Sequence, residues 1–280
     1  MKKLAIALRG NERNSFEDKE LYNYVKELSR SYETDIYIHT WNLSEAASSW
    51  RPVSKIRKEI SLETVSDYFL GLNIKKIIVE NDDSIILHGR TNGRMGRLKE
   101  ITCSEEILKL IIGNEIGEWA KNHNLKNLKI SSNYNIFVEL GCPIIGWKKM
   151  WHGIYSVAKE IYNLNIKYDA VLNCRLDILK LKKTKNYINN PDCVSINLEN
   201  TIGMIESFLS KKEIIFIRNE KSICIDNIYV GSTNQIYRLC ERFHYNLDDI
   251  LEENKICDWE GNQEKLVFLE AQKISKIYHF

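Results

Sequence analysis

Charged residues follow a short apolar run at residues 170–174, at the point where a buried strand would end. Arg175 and Asp177 come directly after this run. Apolar runs of this length are typical of strands buried on both faces in the middle of an α/β sheet. A guanidinium and a carboxylate are costly there unless each meets a partner. Two interpretations stay open: Asp177 holds a metal ion or a sugar hydroxyl while Arg175 faces a phosphate, or the two side chains pair with each other.

A second group with chemical potential follows the first predicted strand, residues 3–8. Gly10 permits a tight turn or the close approach of backbone to a ligand, and Arg9 and Arg13 flank it. Many nucleotide-binding sites begin with a strand, followed by a glycine turn with basic residues and then by a helix. The G-x-G-x-x-G and G-x-x-x-x-G-K-[ST] patterns are absent, so neither a dinucleotide-binding fold nor a P-loop is indicated. Arg13 is expected to contact a ligand, with pairing on the helix surface as the alternative.

Three further positions carry ionisable side chains in apolar surroundings. Asp226 interrupts the apolar stretch 223–230, which is costly unless its carboxylate is partnered or used. His39 is expected to be a satisfied strand residue. His152 points away from the apolar stripe of a predicted amphipathic helix at 147–163, so it is expected to face solvent or a cleft, with a surface histidine as the default. The adjacent Asp82 and Asp83 are expected to form a solvated turn.

Alternating strands and helices position these residues. Strands are predicted at 3–8, 34–40, 74–80, 84–88, 170–174, 193–197, 213–217 and 222–232, and helices at 16–31, 61–70, 105–122, 147–163, 233–243 and 265–273. This order favours an α/β fold with a mostly parallel central sheet flanked by helices. No linker or internal repeat divides the chain, so a single domain over residues 1–280 is predicted.

Composition limits the class of protein. The chain has 280 residues and a net charge of +2, which gives no broad field for nucleic acid. Its seven cysteines are scattered without a C-x-x-C spacing, as expected for reduced thiols in a cytoplasm. The apolar run at residues 4–8 is too short for a secretory signal, and no run of about 18 apolar residues predicts a membrane span. A cytoplasmic protein is therefore expected.

Several short stretches, taken together, resemble bacterial glycosyltransferases of the GT-A fold that build lipopolysaccharide and capsule. They are Ile-Ala-Leu-Arg-Gly-Asn-Glu-Arg at 6–13, Asp-Ile-Tyr-Ile-His-Thr-Trp-Asn at 35–42, the helix at 151–161 leading into 168–171, Arg-Leu-Asp-Ile at 175–178, Asp-Asn-Ile-Tyr-Val-Gly-Ser at 226–232 and Gln-Glu at 263–264. Their order and spacing extend along nearly the whole chain. The resemblance implies one GT-A-like, Rossmann-like domain, with residues 1–100 mainly binding the nucleotide and 101–280 mainly the sugar and acceptor.

The resemblance also implies a nucleotide-sugar donor site. Arg9, Gly10 and Arg13 would lie by the nucleotide, and Thr40 and Trp41 near its base or ribose. Arg175-x-Asp177 would occupy the place of the family's Asp-x-Asp motif, with Asn227 also contacting substrate. Here Arg175 stands where the first Asp would be, so a divalent cation, Mn²⁺ or Mg²⁺, would have Asp177 as its one acidic protein ligand. Arg175 would then neutralise part of the departing diphosphate.

An inverting transfer needs a carboxylate that takes the proton of the acceptor hydroxyl, which contributes about 10²–10⁴-fold to the rate. Asp226 is the first candidate for this base and Glu264 the second; the alternative for Asp226 is that it orients the sugar or caps a neighbouring strand. The implied acceptor is an oligosaccharide or a lipid-linked glycan, with peripheral contact at the inner face of the membrane. The competing hypotheses are a phosphotransferase or nucleotidyltransferase of surface polysaccharide, and a nucleotide-sugar-binding protein without turnover.

Overall fold

The structure is a computed structural model that describes residues 1–45, 57–93, 98–103, 134–139, 143–180, 196–217, 226–254 and 263–280. In chain order its elements are β1 (Lys3–Arg9), α1 (Glu20–Ser31), β2 (Glu33–Trp41), α2 (Leu62–Tyr68), β3 (Ile74–Glu80), β4 (Leu98–Cys103), β5 (Tyr134–Glu139), α3 (Ile144–Asn163), β6 (Ala170–Arg175), α4 (Leu198–Lys211), β7 (Ile214–Phe216), β8 (Ile228–Gly231), α5 (Thr233–Glu253), α6 (Gln263–Ile274) and β9 (Ile277–His279).

Seven of these strands form one sheet in the order β3-β2-β1-β6-β8-β7-β9. Neighbouring strands from β3 to β6 are parallel, and β7 and β9 are also parallel to each other. Only β8 among the strands of this sheet runs against its neighbours, β6 and β7. β4 and β5 pair separately as an antiparallel ribbon. The predicted α/β class, with a mostly parallel central sheet flanked by helices, is confirmed.

The alternating side chains of β1 separate the core into two layers. Leu4, Ile6 and Leu8 face one apolar cluster, which α1, α2 and α4 cover, whereas Ala5 and Ala7 face the other, which α3, α5 and α6 cover. Strands buried on both faces are expected to be apolar throughout, as this one is. The small alanines leave room for large side chains on α3, which packs against β1 and β2.

Aromatic rings join α3 to α5 on the alanine side. The ring of Trp151 stacks on that of Phe243 with centroids 4.1 Å apart and an angle of 7° between the ring planes. Trp147 meets the same phenyl ring at 5.6 Å. Both tryptophans are buried, which confirms that the apolar stripe of this helix faces the core. Helix α5 begins at a capping box, in which Ser232 and Gln235 each satisfy a backbone N–H of the other.

Some local predictions are wrong. Residues 84–88 form no strand, and Ile86 is 82% exposed, because no strand among the described residues pairs with this stretch. Asp82 is not solvated; it is buried and pairs with the buried Lys149 of α3 at 3.2 Å. Helix α5 extends ten residues beyond the predicted end at Phe243. The predicted helix at 105–122 lies outside the described residues, as does most of the predicted strand at 193–197.

Within the described part of the chain, no helix combines the length and the apolar character that crossing a membrane requires.

Candidate active site

The carboxyl ends of β1, β2 and β6 meet at one edge of the sheet, as parallel strands must. In the register of the sheet, Arg9 lies opposite both His39 of β2 and Arg175 of β6. Strand β8 is antiparallel to β6, so its amino end, with Asp226 and Asn227 just before it, reaches the same edge. The edge therefore brings together most of the side chains that the sequence singled out. Ligands in open α/β sheets bind at such strand ends.

The turn after β1 projects Arg13 across this edge. Gly10 has a φ of 98°, in the left-handed region that favours glycine, and its N–H donates to the carbonyl of His39 at 3.1 Å. Arg13 and Asn14 also have positive φ values, 45° and 66°. Backbone in this region is costly for residues other than glycine and is concentrated at functional sites. The result is a guanidinium aimed at the end of β6, 164 residues away in sequence.

Asp177 binds two guanidinium groups. Arg175 donates to both of its carboxylate oxygens, Nε to Oδ1 at 2.7 Å and Nη2 to Oδ2 at 2.6 Å, and Arg13 Nη1 donates to Oδ2 at 2.9 Å. Burial by itself raises the pKa of Asp177, but the charges and hydrogen bonds of Arg175 and Arg13 outweigh it and leave the pKa below its usual value. The carboxylate is thus ionised, and it meets two positive charges with one negative charge.

The donor set at Asp177 does not fit a divalent cation in this arrangement. Both carboxylate oxygens are already used by guanidinium groups, and a cation there would stand against two positive charges. Asp177 is also 1% exposed, so little room exists for the water ligands that Mg²⁺ keeps. Its role as a metal ligand stays a prediction, and of the two interpretations of the Arg175–Asp177 pair the described contacts match the mutual ion pair.

Arg9 is the most unusual charge at this edge. Its side chain is 2% exposed, with Nε donating to Asn173 Oδ1 at 2.9 Å and Nη2 to the carbonyl of Asp226 at 2.6 Å. Both acceptors are uncharged, and no carboxylate among the described residues forms an ion pair with Arg9. A buried charge without a counter-charge is strongly disfavoured. Among the described residues at this edge, Asp177 is the carboxylate that binds guanidinium groups, those of Arg13 and Arg175.

Asp226 and Asn227 lie in a turn before β8, not inside a strand as predicted. Asn227 binds Arg175 twice: its Oδ1 accepts from Nη1 at 2.9 Å, and its carbonyl accepts from the backbone N–H at 3.1 Å. The Asp226 side chain is 8% exposed, and its carboxylate makes no hydrogen bond with a described residue. The structure thus brings Asp226 and Asn227 beside Arg9 and Arg175 and leaves the Asp226 carboxylate without a described partner.

The remaining predicted site residues are connected less directly with this edge of the sheet. Thr40 Oγ1 donates to the carbonyl of Gly10 at 3.0 Å, so Thr40 braces the turn after β1. Trp41 is 3% exposed and contacts the rings of His39 and His152, so its indole faces protein. Glu264 lies in the first turn of α6, a helix that packs against α5. The site roles given to Thr40, Trp41 and Glu264 stay predictions.

A further group of titratable residues was not predicted. Glu80, the last residue of β3, binds both His39 and His152 through one oxygen, Oε2, at 2.9 Å from each Nε2. The side chain of His152 is only 16% exposed, so His152 faces this group and is not a surface residue. These hydrogen bonds, the one from His152 first, hold the pKa of Glu80 well below its usual value, whereas burial lowers that of His39. The available signal was the position of His39 and Glu80 at the ends of adjacent strands.

The fold and the candidate site define an α/β protein with an arginine-rich edge at the ends of parallel strands. No family model matches the chain, and no curated protein matches it in sequence. Among solved structures it is similar to an active-site mutant of LgtC, with a TM-score of 0.38 and 8% identity over 99% of this chain and 72% of that one. It is also similar to galactosyltransferase LgtC in complex with donor and acceptor sugar analogs, with a TM-score of 0.34, 11% identity and the same coverages. TM-scores this low establish neither a family nor an activity.

Proposed function

We propose that the protein is a glycosyltransferase with a GT-A-like domain, which transfers a sugar from a nucleotide-sugar donor to a hydroxyl of a growing glycan. The observation that carries this proposal is the charge of the sheet edge. Arg9, Arg13 and Arg175 converge there, and the Asp177 carboxylate binds two of them, Arg13 and Arg175. Guanidinium groups concentrated at strand ends favour an anion there, and the diphosphate of a nucleotide-sugar is such an anion.

Guanidinium groups suit a diphosphate for a geometric reason. Their planar fork of donors binds phosphate oxygens in pairs, and they stay charged at every relevant pH. Arg13 and Arg175 have side chains 21% and 18% exposed, so each keeps N–H groups within reach of a ligand while Asp177 fixes its position. Arg9 lies deeper and adds its charge without direct exposure. Such fixed positive charge stabilises the negative charge that develops on a departing nucleoside diphosphate.

Asp226 is the residue we assign as general base for an inverting transfer. The acceptor oxygen bonds to the anomeric carbon as the bond from that carbon to the diphosphate oxygen breaks, and the proton of the hydroxyl passes to the Asp226 carboxylate. Two features support this role: the carboxylate has no described partner, and its own backbone carbonyl binds Arg9 at 2.6 Å. Glu264 is the second candidate for the same proton.

The substrate class rests on the sequence resemblance alone. We infer that the acceptor is a lipopolysaccharide, capsular or related surface glycan, free or lipid-linked, and that the enzyme works in the bacterial cytoplasm at the inner face of the membrane. The halves 1–100 and 101–280 would then serve mainly the nucleotide and mainly the sugar and acceptor. The strand-end arginines in the first half support the nucleotide part of this division.

Replacement of Asp226 tests the enzymatic part of the proposal. Release of nucleoside diphosphate from UDP-, GDP- and CDP-linked sugars would be followed in the presence of oligosaccharide acceptors. Asp226→Asn should lower the rate about 10²–10⁴-fold while nucleotide binding stays the same. Asp67→Asn, an exposed carboxylate change on α2, is the matched control and should leave the rate unchanged. Full turnover by the Asp226 variant would show that Asp226 is not the general base. If the wild type turned over none of these donors, a nucleotide-sugar-binding protein without turnover would be favoured.

A further inference from the structure

His39, Glu80 and His152 form a compact group that the proposed activity does not use. Their ligand atoms all lie within 4.8 Å of one another. The three residues come from β2, β3 and α3, so the group joins two parallel strands to the helix that covers them. Glu80 Oε2 is 2.9 Å from His39 Nε2 and 2.9 Å from His152 Nε2. From this geometry we infer a binding site for a divalent transition-metal cation at His39, Glu80 and His152.

The spacing of the donor atoms agrees with such an ion. In a tetrahedral zinc site with bonds of about 2.0–2.2 Å, two ligand atoms lie about 3.3–3.6 Å apart. The donor atoms here are separated by 2.9 Å in two pairs and by at most 4.8 Å overall. A cation therefore enters with side-chain shifts well below the length of one bond. It replaces the two hydrogen bonds to Glu80 with three coordinate bonds.

Among the described side chains, the rings of His39 and His152 form hydrogen bonds only with Glu80. Nδ1 of His39 and Nδ1 of His152 are both buried, and neither has a hydrogen-bond partner among the described residues. Because the Nε2 atoms face Glu80, they are the ligand atoms of this site, and no other described side chain competes with an ion for them. The carboxylate of Glu80 supplies the negative charge.

Close packing also fixes the positions of these side chains. A Cβ atom on Gly153 would lie 2.6 Å from both Nδ1 and Cε1 of His39, so only glycine lets α3 approach this ring. The indole of Trp41 borders the ring from another side, with centroids 4.8 Å apart. His152 directly precedes Gly153, so the close approach of the helix also brings His152 to Glu80. Ligands fixed by their packing need little reorganisation to bind an ion.

The donor set and its exposure indicate the class of cation. Two imidazoles and one carboxylate suit Zn²⁺, Co²⁺ or Ni²⁺, whereas Mg²⁺ and Ca²⁺ prefer oxygen ligands throughout. His39 is fully buried, but the side chains of His152 and Glu80 are 16% and 32% exposed. Solvent therefore reaches the group from the side of Glu80, where water can complete the coordination. Three protein ligands with an open position match the pattern of accessible zinc sites.

Metal binding to the full chain, without any nucleotide, tests this inference independently of the proposed activity. The EDTA-treated and dialysed protein would be titrated with Co²⁺, with visible absorption reporting nitrogen ligation, and melted with Zn²⁺, Co²⁺, Ni²⁺, Mg²⁺ or Ca²⁺. At about 100 times its dissociation constant, a bound ion should raise Tm by about 5 °C or more. We expect this shift with the first three ions and not with Mg²⁺ or Ca²⁺.

Three variants decide whether the ion is at this site. Glu80→Gln and His152→Gln should each weaken binding at least 10-fold and lose most of the shift. His88→Gln is the matched control, since His88 is exposed and reaches the group only through other rings. Should Glu80→Gln fold poorly, His152→Gln at the accessible side still decides the question. Unchanged affinity in a folded ligand variant, an equal loss in the control, or no shift in the wild type would overturn the inference.

Discussion

Arg175 binds Asp177 through both carboxylate oxygens, at 2.7 and 2.6 Å, although only one residue separates them in sequence. Arg13 adds a third hydrogen bond to the same carboxylate at 2.9 Å. The pair does two things at once: it satisfies a buried negative charge, and it fixes two guanidinium groups at the edge where a ligand would bind. A side chain that holds two arginines in place need not touch the ligand to be essential for binding it.

Loss of the Asp177 charge should destabilise the protein. Asp177→Asn leaves Arg13 and Arg175 without their counter-charge, and breaking a buried pair in this way costs about 3–5 kcal/mol. Urea denaturation at pH 7 measures this free energy. The exposed Asp67→Asn change serves as the control and should alter it by less than about 0.5 kcal/mol.

The stability difference between the wild type and Asp177→Asn should depend on pH. The pKa of Asp177 is lower in the folded protein than in the unfolded chain, so its contribution is fully present above about pH 4 and is lost as the pH falls through the folded value. The difference in stability between wild type and Asp177→Asn should therefore narrow as the pH falls below about 4. A difference in stability that stayed constant under acid conditions would mean that the arginines do not lower the pKa of Asp177.

Gly153 should tolerate a methyl group poorly. In Gly153→Ala the new Cβ would lie 2.6 Å from the buried ring of His39, and such overpacking costs about 1–3 kcal/mol. Gly203→Ala in α4 is a close comparison, because its Cβ would also meet a ring, that of Phe280, at 2.5 Å. The phenyl ring of Phe280 is only half-buried, whereas the ring of His39 is fully buried, so Phe280 can shift and Gly203→Ala should cost less stability. Equal stability losses in thermal melts would contradict this account of Gly153.

Cys174 and Cys240 should resist alkylation in the native protein. Both thiols are buried, and burial raises the pKa of each to about 12. The reactive thiolate is therefore scarce at pH 8, and reagents have no access. Iodoacetamide followed by peptide mass spectrometry should leave both unlabelled until urea is added. Because their pKa is raised, their contribution to stability should fall as the pH rises above about 9. Rapid labelling without urea would show that strand β6 and helix α5, which carry these cysteines, open readily.

Strong apolar patterns made much of the fold predictable. Strands β1, β2, β3 and β6 and helix α3 are within a few residues of their predicted bounds, because each buries an apolar run or stripe. The false strand at 84–88 shows the limit of this reasoning. Its apolar residues resemble a strand pattern, yet Ile86 finds no neighbour to cover it. Local sequence does not show whether a pairing partner exists.

The candidate site was predictable to the extent that it follows the strand ends. Arg9, Arg13, Arg175 and Asp177 meet because parallel strands bring their carboxyl ends to one edge. The group around Glu80 was predictable only in part: strand order brings His39 close to Glu80, but His152 joins them only once α3 packs on the sheet. His39 and His152 each looked ordinary alone. Their shared partner becomes visible only in three dimensions.

Nucleotide binding tests the central claim, that the arginine-lined edge holds a nucleoside diphosphate. The purified protein would be melted with UDP, GDP, CDP or CMP, with Mn²⁺ or with EDTA, and the same nucleotides would be tested on Arg13→Gln. Arg30→Gln is the control, since Arg30 is exposed on α1 and pairs there with Glu27. At about 100 times its dissociation constant, one nucleoside diphosphate should stabilise the wild type and the control by about 2.7 kcal/mol. Arg13→Gln should lose most of this gain. A flat response to all four nucleotides, or an equal response in the Arg13 variant, would contradict the proposed site.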